Sequence, residues 1–391
     1  MNTMVTWTSP KALAPAQRRT FEDLLSYCLP EGSEVRCEHR ESDTLVRYAE
    51  PPNDAADTAV ALLEEAHARA SLATAREPKE LLDLGDAPAV PRPAADATWV
   101  GPGLQVAGPG LARLTRALDT VFLGLAQEAG AAEHAVPHLV SWDTIHRAGY
   151  TRNFPQHLTA CSVVGPDLRA LDRFAGSADL VSASAELTPA EVVLAPAVCM
   201  NLFAALADRP LAGPVTMTAR GMCGRYEAGA DRTPTRLWSF DMREVVFLGD
   251  RAATRTFRDT MLDAVADLAR LLGLPCTLAA ANDPFFTSER EELLGYQSAF
   301  DLKHELKGRM ADGTAPVAVT SVNLHNQHFG SQFGIALPDG APAYSACIGF
   351  GLDRWARWLH GHLGDDPRDW PELLRSAAAP VGLPGLRRED R

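Results

Sequence analysis

The sequence predicts an α+β fold in which an antiparallel β-sheet carries helices on one side. Two β-like runs, at residues 237–248 and 343–349, are interleaved with helical patterns at 254–272 and 354–362. Strands that are close in sequence and joined by short connections favour antiparallel pairing. The 391 residues are enough to bury a large core. We therefore expect one large α+β domain with a smaller unit beside it.

Composition along the chain divides it into three predicted parts. Residues 1–88 form a small N-terminal unit, which includes an apolar helical stretch at 59–75. Residues 89–104 are rich in Pro and Gly and are predicted to be a linker. Residues 105–391 form the large domain. It opens with leucines at helical spacing over 111–127, which predict a long amphipathic helix that leads into an extended segment.

Charge and hydropathy narrow the function classes. The chain has 37 basic and 50 acidic residues and a net charge of −13, which disfavours tRNA as a partner because nucleic-acid binding requires neutralised phosphates. It has no apolar run of the roughly 18 residues that a spanning helix needs, so no membrane association is expected. The N-terminus lacks the pattern of a secretory signal, and we expect a cytoplasmic protein. The seven cysteines contain no CxxC pair, which favours reduced thiols or a metal site over disulfides.

Two separated motifs carry the chemical signal. The first, GRYEAG, spans residues 224–229 and is followed by RLWSFDMRE at 236–244, while the second, GFGLDR, spans 349–354. Arginine presents a planar fork that can donate to phosphate and carboxylate oxygens together. Closely spaced glycines let a nucleotide approach the backbone. The second motif differs from the GxGxxG dinucleotide fingerprint, because no βαβ pattern surrounds it.

In this order, the motifs resemble the second and third signature motifs of class II aminoacyl-tRNA synthetase catalytic domains. The resemblance covers roughly residues 105–362 and implies a class II synthetase-type antiparallel β-sheet flanked by helices, with a small N-terminal extension. The helix at 111–127 and the strand after it resemble the first motif, which implies a homodimer. Either Arg232 or Arg236 is expected to reach the phosphates. The remaining ATP roles implied are the α-phosphate contact (Arg225), the γ-phosphate contact (Arg354), adenine recognition (Glu227), adenine stacking (Phe240) and close backbone approach (Gly351).

The segment before the third motif resembles the one that supplies polar groups to magnesium and substrate. Ser321 is expected to bind ATP and Asn323 to bind the substrate. The sequence departs from the pattern at Ala318, because seryl-type enzymes have a metal-binding glutamate there. Mg²⁺ is therefore implied without its usual carboxylate, and Ser321, Asn323 and His325 are the candidate replacements.

Three residues far apart in sequence resemble a zinc-ligand set. Cys199, Glu244 and Cys347 match the Cys/Glu/Cys ligands of atypical, methanogen-type seryl-tRNA synthetases and their shortened relatives, the amino acid:carrier protein ligases. In that set Zn²⁺ keeps an open fourth position for the substrate amino group, as a substrate-binding metal requires. Cys161 and Cys223 are the alternative thiols.

Substrate recognition follows the family only in part. Glu191 resembles the substrate-side glutamate of a Thr-x-Glu loop, but Pro189 takes the place of the threonine. This departure argues against recognition of serine through the same loop.

The resemblance implies a two-step ligase. A small amino acid, glycine or alanine first and serine next, would react with ATP to give an aminoacyl adenylate, and a carrier-protein phosphopantetheine thiol would then displace AMP. Residues 300–309 are expected to form a helix whose Lys303, Lys307 and Arg309 dock an acidic carrier. The alternatives are a seryl-tRNA synthetase, whose unit 1–88 binds tRNA, and a non-catalytic paralogue that kept the fold.

Overall fold

The computed structural model describes residues 4–25, 27–29, 35–50, 56–71, 79–85, 96–226, 233–281 and 302–379. Within those ranges, no helix has both the length and the apolar character needed to cross a membrane.

The N-terminal unit has a sheet and a core of its own. Its three strands pair antiparallel in the order β1–β3–β2, and its core includes the fully buried Phe21, Tyr48 and Leu63. The apolar stretch predicted at 59–75 corresponds to its second helix. Its elements are β1 (Met4–Thr8), α1 (Pro15–Leu25), β2 (Val35–His39), β3 (Thr44–Ala49) and α2 (Ala56–Ser71).

The larger part of the chain contains the main sheet and most of the helices. Its elements are, in chain order, β4 (Glu80–Asp83), β5 (Ala97–Gly101), β6 (Leu104–Ala107), α3 (Pro109–Glu128), β7 (Ala132–Ala135), β8 (Leu139–Ser141), α4 (Trp142–Arg147), α5 (Tyr150–Asn153), β9 (Ala160–Val164), α6 (Leu168–Ala175), α7 (Leu180–Ala183), β10 (Leu187–Leu194), α8 (Cys199–Ala205), β11 (Val215–Gly224), β12 (Ser239–Gly249), α9 (Arg251–Leu272), β13 (Cys276–Ala280), β14 (Lys303–Gly308), β15 (Val317–Asn326), α10 (His328–Gln332), β16 (Tyr344–Gly351), α11 (Leu352–Leu363) and α12 (Glu372–Ala378).

An eight-stranded sheet organises this part, in the order β4–β13–β14–β15–β16–β12–β11–β7. All of its neighbouring strands run antiparallel except β7 and β11, which are parallel. The predicted α+β class and its antiparallel sheet are therefore confirmed. A second, three-stranded sheet has the order β8–β10–β9, and β5 pairs with β6 as a hairpin.

The long helices α3, α9 and α11 pack on one face of the large sheet. Phe122 of α3 stacks on Phe350 of β16 at 4.2 Å between ring centroids, and Trp355 of α11 meets Phe122 edge-on. Helix α9 begins after Asp250, whose side chain accepts a hydrogen bond from the Ala253 N–H, and ends before a glycine at φ 63°. The opposite face of the central strands packs a second apolar cluster, which includes Met242, Val246 and Cys347, and it also carries polar side chains such as Glu244.

Two observations bear on the predicted boundaries at 88 and 104. Strand β4 lies within the predicted N-terminal unit, yet it pairs with β13 as the edge of the large sheet. Residues 97–107, which overlap the predicted linker, form the β5–β6 hairpin. Gly103 turns this hairpin at φ 63°, and its carbonyl accepts a hydrogen bond from the Trp238 N–H at 2.8 Å. The division into domains stays a prediction.

The predicted docking helix at 300–309 is wrong for its described residues, because residues 303–308 are strand β14 in the interior of the large sheet. The charges at Lys303, Glu305 and Lys307 alternate with buried His304 and Leu306. Alternation with a period of two places the charged side chains on one face of a strand. The adjacent Arg309 is paired with Asp83 at 2.7 Å, so it does not extend a basic helix face.

Candidate active site

Neighbouring strands bring the motif residues to one face of the large sheet. Ser321 of β15 and Glu244 of β12 both pair with Gly349 of β16, and Asn323 of β15 pairs with Cys347. Since side chains alternate between the faces of a strand, these positions all face away from the helical core described above. The register of three strands thus joins residues from both motifs into a single site.

A cavity on this face is lined by both motif arginines. Arg225, just beyond β11, donates from Nε to the Pro196 carbonyl at 2.7 Å, and its guanidinium lies 5.4 Å from the centroid of the Phe240 ring. Arg354, in the first turn of α11, donates from Nη1 to the Ala318 carbonyl at 3.2 Å. Hydrogen bonds to backbone carbonyls therefore hold both guanidinium groups at the cavity wall.

The other predicted ATP residues have different positions relative to this cavity. Phe240 and Gly351 line it, whereas the side chain of Arg236 is not among the described lining residues. Arg236 follows a turn in which its N–H donates to the Thr233 carbonyl at 3.1 Å. Glu227 and Arg232 lie outside the described residues.

Polar groups from β14 and β15 complete the cavity. Ser321 and Ala318 both line it, as do Lys303 and Glu305, which the sequence analysis did not assign to the nucleotide site. Glu305 pairs in register with Ser321, and its carboxylate lies 3.2 Å from Lys303 Nζ and 3.4 Å from Lys307 Nζ. The period-two charge pattern of β14 was the available signal for these residues. A carboxylate therefore lies on the strand next to Ala318, although position 318 has none.

Cys199, Glu244 and Cys347 meet as a buried cluster. Their ligand atoms all lie within 4.8 Å of one another, and the three residues are 5%, 3% and 6% exposed. Cys199 begins helix α8, so the cluster joins that helix to strands β12 and β16. The Glu244 carboxylate accepts hydrogen bonds from the backbone N–H groups of Val198, at 3.1 Å, and Cys199, at 2.9 Å. The start of the helix therefore fixes the orientation of the carboxylate.

Two predicted substrate or magnesium residues contact this cluster. His325 Nε2 lies 3.5 Å from Cys347 Sγ, and its Nδ1 lies 3.1 Å from Ser345 Oγ. Asn323 Nδ2 lies 3.7 Å from the same sulfur and donates to Ser321 Oγ at 3.3 Å. His325 and Asn323 thus surround a thiol, and of the three candidates at 321, 323 and 325 only Ser321 lines the cavity. The i, i+2 spacing of these residues predicts their common face but not which group they contact.

The chemistry of the donor set fits a divalent cation. Burial and the charge of Cys347 raise the pKa of Glu244 to about 7. The hydrogen bond between the two thiols raises the pKa of Cys199 and lowers the pKa of Cys347. Contacts with His325 and Asn323 lower the pKa of Cys347 further. Three acids in one dry site cannot all ionise without a compensating positive charge. Two thiolates and a carboxylate are typical ligands of Zn²⁺ and leave one tetrahedral position open.

The remaining predicted positions do not belong to the metal-ligand cluster. Glu191 is exposed on β10 and has a φ of 53° at a register shift between Pro189 and Val193. It is not among the described residues that line the cavity. A non-glycine residue in the left-handed region is strained, and such strain often marks functional sites. Cys161 and Cys223 do not belong to the described metal-ligand groups.

Curated proteins give similarity at the level of sequence. The chain is 34% identical over 265 residues to amino acid–acyl-carrier-protein ligase 2 of Bradyrhizobium diazoefficiens. This alignment covers 65% of this chain and 75% of that protein. The chain is 26% identical over 306 residues to the type-2 serine–tRNA ligase of Methanothermobacter thermautotrophicus, in an alignment that covers 74% of this chain and 59% of that protein. No family model matches the sequence.

Solved structures give similarity at the level of fold. The seryl-tRNA synthetase of M. kandleri, in its complex with A. aeolicus tRNASec, superposes with a TM-score of 0.67 at 20% identity. The match covers 96% of this chain and 77% of that one. The predicted class II synthetase architecture is therefore confirmed as the fold.

Proposed function

The chain belongs to the amino acid–acyl-carrier-protein ligase family, and from that membership we propose that it activates a small amino acid with ATP and transfers it to a carrier-protein phosphopantetheine thiol. It is a ligase, and its partners are an amino acid and a carrier protein. The observation that supports this proposed function most strongly is the buried Cys199/Glu244/Cys347 cluster, together with the cavity that is lined by Arg225 and Arg354.

In the first step the arginines stabilise charge on the triphosphate. A carboxylate oxygen of the amino acid attacks the α-phosphorus, and the bond from that phosphorus to the bridging oxygen of pyrophosphate breaks. Arg225 contacts the α-phosphate and the incoming carboxylate, and Arg354 contacts the γ-phosphate. Their positions are set before ATP binds by hydrogen bonds to Pro196 and Ala318, so little reorganisation is needed when charge develops. Phe240 stacks on the adenine, and Glu227 and Arg236 complete the nucleotide site.

Mg²⁺ would be held by Ser321 together with Glu305. These two residues pair across β14 and β15, and both line the cavity that contains the arginines. Oxygen donors of this kind suit Mg²⁺, which would lower the repulsion between the phosphates and the attacking carboxylate. Glu305 would then supply the charge that Ala318 lacks. The two lysines that contact Glu305 would orient its carboxylate.

Zn²⁺ would be held by Cys199, Glu244 and Cys347, with His325 and Asn323 donating to the Cys347 sulfur. When bound, Zn²⁺ supplies a Lewis-acidic position that selects an unprotonated amino group. The chain itself orients that position, because backbone N–H groups fix Glu244 and polar side chains fix Cys347.

A small side chain fits the surroundings of this cluster. Gly349 lines the cavity and pairs in register with Glu244 of the cluster, and a Cβ there would be 3.0 Å from Met242 Cε and 3.3 Å from Ser321 Oγ. Glycine at this position therefore keeps side-chain atoms out of the space between Met242 and Ser321, next to Glu244 of the cluster. We propose glycine or alanine as the substrate, with serine next, and Glu191 and Asn323 as further substrate-side groups.

The acceptor in the second step is the carrier thiol. Its sulfur attacks the carbonyl carbon of the aminoacyl adenylate, and the bond to the AMP oxygen breaks to leave a thioester. The net charge of −13 disfavours a tRNA acceptor. The 26% identity to a type-2 serine–tRNA ligase supports tRNA aminoacylation as the second candidate.

We also propose that the protein is a homodimer in the cytoplasm. Strand β7 forms one edge of the large sheet, and all four of its residues are exposed. An exposed sheet edge is a surface that a second copy can cover.

Amino-acid-dependent ATP–pyrophosphate exchange tests the activation step. A panel of amino acids is expected to give the highest exchange with glycine or alanine, and serine is expected to follow. Arg225→Lys keeps the positive charge but loses the fork, and a fall in exchange of roughly 100-fold is expected. Absence of exchange with every amino acid in the wild-type protein would contradict the proposed activity.

A further inference from the structure

A second group of metal-ligating side chains lies in the N-terminal unit, far from the motifs of the active site in sequence. Glu22 of α1 and Cys37 and His39 of β2 place a carboxylate oxygen, a thiol sulfur and an imidazole nitrogen within 4.8 Å of one another. We propose that these three residues form a second zinc site, which ties helix α1 to the β2–β3 hairpin. This proposal does not depend on zinc in the active site.

The two distances from His39 Nε2 to the other donor atoms are close to those of tetrahedral coordination. Cys37 Sγ lies 3.6 Å from His39 Nε2, and His39 Nε2 lies 3.1 Å from Glu22 Oε1. Zinc bonds of about 2.0–2.3 Å to N, O and S separate neighbouring tetrahedral ligands by about 3.3–3.6 Å. The two distances to His39 Nε2 thus lie within a few tenths of an ångström of those values, and the third pair, Cys37 and Glu22, lies within 4.8 Å.

The histidine ring is held in the orientation that a metal ligand needs. His39 Nδ1 lies 2.9 Å from Thr44 Oγ1, and Thr44 is fully buried opposite it in the hairpin. Thr44 is itself fixed, since its N–H donates to Ser9 Oγ at 2.8 Å and its carbonyl accepts from the Ser9 N–H at 2.9 Å. A contact at Nδ1 leaves Nε2 to bind the ion, which is how neighbouring groups orient zinc-bound histidines.

The same geometry argues against a nucleophilic Cys–His–Glu relay. In a relay, the carboxylate holds one ring nitrogen and the thiol contacts the other. Here the Cys37 sulfur and the Glu22 carboxylate both face Nε2 of His39, whereas Nδ1 faces Thr44. Convergence of three donors on one point is the arrangement of a metal site.

Charge and access also suit a zinc ion. One thiolate, one carboxylate and a neutral imidazole balance the charge of Zn²⁺. Cys37 and His39 are two residues apart on β2 and therefore lie on the same face of the sheet. Arg36 of β2 pairs in register with Arg47 of β3, and both lie on the opposite face. The Glu22 side chain is 53% exposed and that of His39 11%, so the ion can enter from solvent and keep one water ligand.

Zinc content of the full chain tests the site. After dialysis against a weak chelator, Cys37→Ser is expected to hold one zinc fewer per chain than the wild type, with unchanged ATP–pyrophosphate exchange. The matched control Cys161→Ser, a half-buried cysteine outside both groups, is expected to keep the wild-type content. In a Cys347→Ser background, Cys37→Ser should remove the zinc that remains, which separates this site from the one in the active site.

Glu22→Gln covers the case in which the cysteine variant fails to fold, because Glu22 is exposed and its replacement keeps the shape. It is expected to weaken zinc binding at this site by at least about 10-fold in competition with a chromophoric chelator. Cobalt substitution in a Cys347→Ser background should give thiolate-to-cobalt charge-transfer absorption that Cys37→Ser abolishes. Equal zinc content in the wild type and Cys37→Ser, or unchanged affinity in Glu22→Gln, would overturn the proposal.

Discussion

Replacing Glu244 with glutamine separates the cost of a buried charge from the gain of a bound metal. Glutamine keeps the volume of the side chain but has one acceptor oxygen instead of two and no charge. In the native site the two carboxylate oxygens accept from Val198 at 3.1 Å and from Cys199 at 2.9 Å. In the variant one of these N–H groups faces an amide NH₂, and leaving it unpaired costs about 1–3 kcal/mol.

In the metal-free protein, removal of the Glu244 charge offsets the cost of the unpaired N–H group in Glu244→Gln. Burial raises the pKa of Glu244 to about 7, and at about 1.4 kcal/mol per pKa unit the ionised form is disfavoured by about 3 kcal/mol. The sign is that of an acid with a raised pKa, so this cost is absent below the ordinary pKa of 4.5, grows as the pH rises from there to about 7, and is constant above it. Above pH 7, the metal-free wild type and Glu244→Gln should therefore differ in free energy of unfolding by less than about 2 kcal/mol.

We expect zinc to reveal the difference in stability between the wild type and Glu244→Gln. At a free zinc concentration 100-fold above the dissociation constant, binding to the native state adds about 2.7 kcal/mol to the free energy of unfolding. Glu244→Gln should lose this increment at the active-site cluster, together with pyrophosphate exchange. Urea unfolding at buffered zinc and with a chelator measures both states, and the exposed Glu128→Gln on α3 is the control. A variant that keeps the wild-type zinc increment and exchange activity would refute the role of Glu244.

Three further substitutions test the nucleotide side of the site. Arg354→Lys should lower kcat/KM for exchange by roughly 100-fold, while the control Arg375→Lys, at an exposed position on α12, should leave it unchanged. Equal kcat/KM in Arg354→Lys and the wild type would exclude a phosphate role for Arg354. Gly349→Ala places a Cβ 3.0 Å from Met242 Cε and should raise the KM for ATP by about 10-fold, an effect that a titration with ATP will detect or rule out. Glu305→Gln should raise the Mg²⁺ concentration needed for half-maximal exchange by about 10-fold, and an unaltered Mg²⁺ dependence would remove Glu305 as the replacement for the missing carboxylate.

Local sequence patterns predicted the strands and helices that carry the motifs. The runs at 237–248 and 343–349 became β12 and β16, and the helical patterns at 254–272 and 354–362 became α9 and α11. These elements follow strong local signals, since β12 contains the apolar run 245–248, β16 contains the run 346–350, and α9 has an Asp cap and a terminal glycine. The resemblance to class II synthetases then indicated which side chains on these elements to assign to the nucleotide and metal sites.

Contacts between distant parts of the chain could not be read from local patterns. Only the fold shows that the start of α8 brings two backbone N–H groups to Glu244, or that His325 contacts Cys347. The segment at 303–308 was misread because lysines four residues apart share a face in a helix and also in a strand. Its period-two alternation with buried residues was the deciding signal, and it placed Lys303 and Glu305 in the cavity.

Transfer of the activated amino acid tests the central claim most directly. Purified protein, ATP and a radiolabelled small amino acid would be incubated with a phosphopantetheine-loaded carrier protein and total tRNA in the same tube. The proposed function predicts that the label appears on the carrier as a hydroxylamine-sensitive thioester, and that the tRNA stays unlabelled. Label on tRNA alone, with an unlabelled carrier, would contradict the assignment as a carrier-protein ligase.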